Sequence, residues 1–164
     1  MDETILRYGN LVTIPGEKHE YTNLGYGILG HVIARMSGQS YEDYMREAVF
    51  LKLGLTHTSV GIEPGLEKFA AVGYDTDGLP IPVFDLDHRG AAGIYSSAHD
   101  LIRFAMFHLK AHLADQMPIL SDASIEEMQK PTVLLTQQCE SCSYGVGWVI
   151  HGWRAGRNEW FTRR

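Results

Sequence analysis

Between Leu24 and Met36 the apolar residues recur at helical spacing. Leu24, Ile28, Leu29, Val32, Ile33 and Met36 fall on one face of a helix from about Asn23 to Met36, and this face is expected to be core. Ser37-Gly38 ends the helix, because glycine readily takes the left-handed conformation that closes one. Ser40 opens another: Asp43 three residues on resembles a capping box, and Tyr41, Tyr44, Met45 and Val49 lie on one side, so the two helices form a hairpin. Upstream, Glu3 to Leu11 predicts a short helix and Thr13-Ile14-Pro15-Gly16-Glu17 a turn. Gly25, Gly27 and Gly30 inside the long helix each cost about 1 kcal/mol relative to Ala. Either close approach of another helix or backbone, or room for a ligand, accounts for them.

From Leu53 to Gly93 the periodicity breaks into a long irregular segment rich in Gly and Pro, read as a covering loop, with short extended pieces at Ala70 to Tyr74 and Leu79 to Phe84. His88-Arg89-Gly90 followed by Ala91-Ala92-Gly93 reads as a small-residue turn. Ser97 then caps a helix, with Asp100 three residues on and Leu101, Phe104, Ala105, His108, Leu109 and His112 on one face. A further capped turn starts at Ser121 and stops at Lys130-Pro131. From Tyr144 the chain alternates Tyr144, Val146, Trp148, Ile150 against Gly145, Gly147, Val149, His151, which predicts one strand with few partners to pair with. The class expected is therefore mainly α with a small β part, helical over about 1–135 and extended over about 144–152, in a single domain spanning 1–164.

Composition alters this picture little. The 164 residues are 45% hydrophobic and 21% charged, ordinary globular values, and the net charge of -6 gives no footprint for nucleic acid or an anionic membrane surface. No apolar run reaches a membrane span, and Met1-Asp2-Glu3-Thr4 lacks the features of a signal peptide. Cys139 and Cys142 lie in a polar connecting stretch, read as loop cysteines that bridge under oxidising conditions. The pair His108 and His112 has helical ligand spacing but no evident third ligand, so no metal and no cofactor is expected.

The candidate chemistry is Tyr21 and Asn23, two residues apart just before the long helix, where a phenol and a carboxamide can point the same way. The plainer account makes Asn23 the N-cap and Tyr21 a staple residue.

Three blocks decide the ancestry. Pro15-Gly16-Glu17 through Tyr21-Thr22-Asn23 to Ser40-Tyr41, then Leu53-Gly54-Leu55-Thr56-His57-Thr58, then Gly90 to Leu101, followed by Tyr144-Gly145-Val146-Gly147-Trp148, resemble in order and spacing the serine hydrolase superfamily of class C β-lactamases, penicillin-binding proteins and related esterases and peptidases. The resemblance covers roughly Leu11 to Ile150. It implies a β-lactamase/transpeptidase-like α/β fold of which this chain is the helical subdomain, with the sheet largely missing. In that family a serine forms an acyl-enzyme and a lysine one helical turn later helps take its proton. The tyrosine of Tyr-x-Asn shares the acid–base work, and the asparagine orients the substrate amide. The resemblance thus makes Tyr21 catalytic and Asn23 substrate-binding, with Thr22 where the family often has serine. A phenol of pKa about 10 is a poor base unless a neighbouring ammonium lowers it, so the tyrosine depends on the lysine.

No serine here is followed three residues later by lysine, so the nucleophile motif is absent. The family's Lys-Thr-Gly or His-x-Gly strand is not matched either: His88-Arg89-Gly90 has the spacing but precedes the capped helix. The expectation is a truncated or split member, inactive alone. The competing expectation is a non-catalytic binding or self-assembling module, in which an apolar face meets a copy of the chain or a complementing chain. The substrate implied for the complete fold is a small acyl compound: a β-lactam, peptide or ester. The family is often periplasmic or secreted.

Overall fold

The computed structural model describes residues 1–17, 19–82, 87–135 and 142–151. Their contacts group into two compact units.

The first unit comprises Met1–Gly9 and Thr22–Ile119. It holds helices α1 (Asp2–Tyr8), α2 (Asn23–Ser37), α3 (Tyr41–Met45, continued as one π-helical turn Arg46–Phe50) and α4 (Ala98–His108). Between α3 and α4, β1 (Thr58–Val60) pairs antiparallel with β4 (Ile94–Ser96), Thr58 opposite Ser96. The segment between them carries a small hairpin of β2 (Gly73–Tyr74) and β3 (Pro80–Ile81). Its turn is fixed by Asp75, whose Oδ1 accepts the amides of Asp77 and Leu79 at 2.9 and 2.8 Å. The hairpin falls within the extended pieces expected there, of which Val83 and Phe84 lie outside the described residues, whereas β1 lies in what sequence pattern alone makes a loop. Phe50, Leu53, Leu55, Val60 and Phe107 form the buried apolar core, and truncating Leu53 or Phe107 to Ala should cost about 2–5 kcal/mol.

α2 ends as expected, with Gly38 left-handed at φ 71° and its amide on the Ala34 carbonyl. Its buried face differs from the expected one. Leu29, Val32 and Met36 are 56%, 47% and 84% exposed, while the buried positions are Gly27 and Gly30. The cause is close packing by the turn at 87–90: a Cβ on Gly27 would stand 2.7 Å from His88 Cβ, and one on Gly30 would stand 2.8 Å from Gly90 Cα. Close backbone approach thus explains these two glycines. On α4 the expected face is also corrected. Asp100, Phe107 and His108 are buried, whereas Leu101, Ile102 and Leu109 are exposed, so the helix is turned by about one residue because it buries a carboxylate in place of Leu101.

The second unit comprises Asn10–Tyr21 and the described residues from Leu120 onward. Helix α5 (Asp122–Met128) precedes an antiparallel meander of β5 (Val133–Leu134), β6 (Cys142–Tyr144) and β7 (Val149–His151). The single strand expected from Tyr144 is instead a hairpin. The chain reverses over Gly145–Trp148, where Gly147 has φ 78° and the Gly145 amide donates to Trp148 O at 2.8 Å. Gly145 also lies against the carbonyls of Met128 and Lys130, leaving no space for a side chain. Ile125, Leu135 and Cys142 are buried within this unit. Cys142 is disulfide-bonded, and the other cysteine of the chain, Cys139, lies outside the described residues.

Candidate active site

Tyr21 is the last residue of the Asn10–Tyr21 segment in the second unit, and Asn23 is the first residue of α2 in the first, so the boundary between units falls inside the Tyr-Thr-Asn triplet. Tyr21 is 74% exposed, which leaves its phenol open to solvent. Two residues earlier, the His19 ring lies 4.8 Å from that of Tyr144 and fastens this segment to the end of β6. Nothing in the local pattern around His19 points to that contact.

The N-cap reading of Asn23 is corrected. The cap position belongs to Thr22, which is extended at φ −151° and ψ 126°, while Asn23 is already helical. A capping side chain must sit on the non-helical residue before the first turn, which Asn23 is not. Thr22 makes no side-chain capping bond either. The exposed Asn23 carboxamide is thus not committed to ending its own helix.

The part of the first block from Thr22 onward meets the other two blocks within the first unit. Gly90, from the third block, sits against Gly30 and the Tyr26 carbonyl of the first and seats α2. Asp100, from the third, reaches the second: its Oδ2 accepts the His57 amide at 2.7 Å and the Thr58 hydroxyl at 2.8 Å. Thr58 Oγ1 lies 2.9 Å from Ser96 Oγ across the β1–β4 pair, and His99 Nδ1 lies 3.3 Å from Asp100 Oδ1. Burial, the largest influence, pushes the Asp100 carboxyl pKa up. The bonds from Thr58, His57 and His99 outweigh it and leave the group below the usual carboxylate value. These residues tie the start of α4 to the β1–β4 pair. Thr58 and Asp100 stand in the two motif blocks that would have signalled them.

His108 is buried, its ring 4.5 Å from that of Phe104, and burial lowers its pKa. His112 stacks at 5.3 Å on Phe107. Both rings pack among aromatics, and among the described residues no group of three or more His, Cys, Asp or Glu is placed to hold a metal ion. No described helix is long and apolar enough to cross a membrane.

The fold is part of the one shared by the β-lactamase-like serine hydrolase superfamily. The Beta-lactamase family model matches residues 4–162, and the chain belongs to that family. Penicillin-binding protein 4 of Amycolatopsis lactamdurans is 33% identical over an alignment covering 81% of this chain and 38% of that protein. A β-lactamase of Pseudomonas fluorescens is 29% identical, with 84% and 37% covered. Among solved structures, D-alanine carboxypeptidase AmpC from Burkholderia cenocepacia superposes with a TM-score of 0.74 at 23% identity, covering 91% of this chain and 42% of that one. The octameric penicillin-binding protein homologue from Pyrococcus abyssi gives 0.72 at 25% identity, covering 92% and 35%. The chain therefore spans about two fifths of the length of these relatives and carries part of the β-lactamase/transpeptidase-like fold.

Proposed function

We propose that these 164 residues are one partial domain of a β-lactamase-like serine hydrolase, contributing the Tyr-x-Asn portion of an acyl-transfer site and forming no acyl-enzyme alone. What carries the proposal is the family match over residues 4–162 in a chain where no serine is followed three residues on by lysine. In the assembled site a serine attacks the carbonyl of a β-lactam, peptide or ester. Tyr21 shuttles the proton between serine and leaving group, and Asn23 holds the substrate amide. Two observations agree with these roles: the Tyr21 phenol is solvent-exposed, and Asn23 is not spent on capping. The phenol needs a nearby ammonium to act at neutral pH, so serine and lysine must come together from the remaining part of the fold. That part belongs to the same polypeptide or to a complementing chain docked on exposed apolar surface.

Intact-mass measurement after incubation with a fluorophosphonate or a penicillin probe tests this. The expected result is an unmodified chain, and a stoichiometric covalent adduct would refute it. With the missing portion supplied, Tyr21→Phe should lower acylation by about 100-fold or more, the scale of a lost general acid–base group.

A second reading is favoured by the exposed stripe Leu29, Val32 and Met36 on α2. An apolar helix face of this kind can bury itself against a copy of the chain, giving a non-catalytic self-assembling module. The octameric homologue from Pyrococcus abyssi is a structural precedent for assembly on this fold.

A further inference from the structure

Tyr21 is 74% exposed, so packing around its own ring does little to fix where the phenol stands. That task falls to its backbone. The described part of Asn10–Tyr21 forms no helix or strand, and has a turn in which the Glu17 amide donates to Ile14 O at 3.2 Å. Past that turn a fixed point is His19, two residues before Tyr21, whose half-buried ring lies 4.8 Å from that of Tyr144 at an angle of 43°.

Tyr144 is a firm support within the same unit. It lies on the central strand of the meander, opposite Val133 on β5 and Val149 on β7. Its carbonyl accepts both the amide and the hydroxyl of Thr132, at 2.9 and 2.6 Å. Cys142, two residues before it, is buried and disulfide-bonded, and Gly145, next after it, is wedged against the carbonyls of Met128 and Lys130. The Tyr144 backbone is thus held from both neighbouring strands and at both ends.

We propose that His19 is the positioning residue for Tyr21: seated on the Tyr144 ring, it sets the backbone from which the phenol serves the serine supplied by the remaining part of the fold. The proposal rests on the acid–base role proposed for Tyr21 above. Each residue has only two soft dihedrals, so fixing His19 leaves few free torsions before Tyr21. Unfastened, the same chain samples many backbone arrangements, few of which bring the phenol within reach of a reacting atom. Two rings at this distance and tilt attract through buried area and their quadrupoles. Stacking, not charge, does the fastening, and phenylalanine can therefore replace the histidine.

Nitrogen-15 relaxation on the full 164-residue chain tests the fastening. In the parent chain the Tyr21 amide should have an order parameter near about 0.85, as rigid backbone does; His19→Ala and Tyr144→Leu should each lower it to about 0.6 or below, and His19→Phe should restore it. The amides of Leu135 and Gly145, bonded to Cys142 O and Trp148 O, report that the meander is intact in each variant. The consequence for chemistry is read with the missing portion supplied, as the rate of acylation at a saturating concentration of a penicillin probe. His19→Ala should lower that rate by about 10- to 100-fold, the scale of a displaced catalytic group. His19→Phe should recover most of it, and His19→Ala added to Tyr21→Phe should lose nothing further. A mobile Tyr21 in the parent chain, an order parameter unchanged by His19→Ala, or a further loss in the double variant would overturn the positioning role. Undiminished acylation in Tyr21→Phe would instead overturn the reading of Tyr21 itself, while the order parameters still decide whether His19 holds that residue.

Discussion

A fully buried aspartate is held below its ordinary pKa here because donors meet its carboxylate. Asp100 receives the amide of His57 and the hydroxyl of Thr58, and in that way joins α4 to β1. Asp100→Asn replaces an acceptor with a group half of whose polar atoms are donors, so it should cost about 1–3 kcal/mol in a urea titration. The pH dependence follows from the depressed carboxyl pKa. A group held below its unfolded value stabilises the fold above that value, about 3.9 for aspartate, and loses the contribution as pH falls through the folded value. The parent chain should therefore lose more stability between pH 6 and pH 3 than Asp100→Asn does. Sequence places Asp100 correctly as the third residue after a capping serine, since Ser97 Oγ accepts its amide at 3.1 Å. It does not place the carboxylate, whose partners lie 42 and 43 residues away. The cap is a local contact and legible. The long-range bond is not, because no local pattern encodes it.

The same division holds for elements. Ser40, Ser97 and Ser121 each accept the amide three residues on, as their spacing predicts. The failures are faces and pairings: α2 buries glycines where the apolar stripe suggested leucine and valine, and alternation from Tyr144 continues through a turn that only its partner strands reveal. The α2 glycines allow a graded test by thermal denaturation, since one substitution meets three different environments. Gly25→Ala meets the movable Thr22 Cγ2 at 3.1 Å and should be neutral or gain up to about 1 kcal/mol of helix propensity. Gly38→Ala has open space but a left-handed backbone, and should lose about 1–2 kcal/mol. Gly30→Ala must move the backbone of Gly90, and should lose about 1–3 kcal/mol in spite of its better propensity.

At the scale of the molecule, family and partial fold were legible because three short blocks keep their order and separation, which periodicity alone would never have ranked above a helical bundle. The exposed α2 stripe was not legible, since an amphipathic pattern says which side is apolar but not whether this chain covers it. Sedimentation should therefore show concentration-dependent association, weakened by at least about tenfold in Val32→Lys with Met36→Lys, as expected for charges placed in an apolar contact. A monomer at millimolar concentration would remove the self-assembly reading and leave the hydrolase reading untouched. The Gly30–Gly90 contact has a consequence for descent. Neither glycine can accept a side chain while the other's backbone stays where it is, so a substitution at one is not rescued by any substitution at its partner. Two positions sixty residues apart should thus be inherited as a single character, invariant together in relatives that keep this seat and released together in those whose 87–90 turn has moved away.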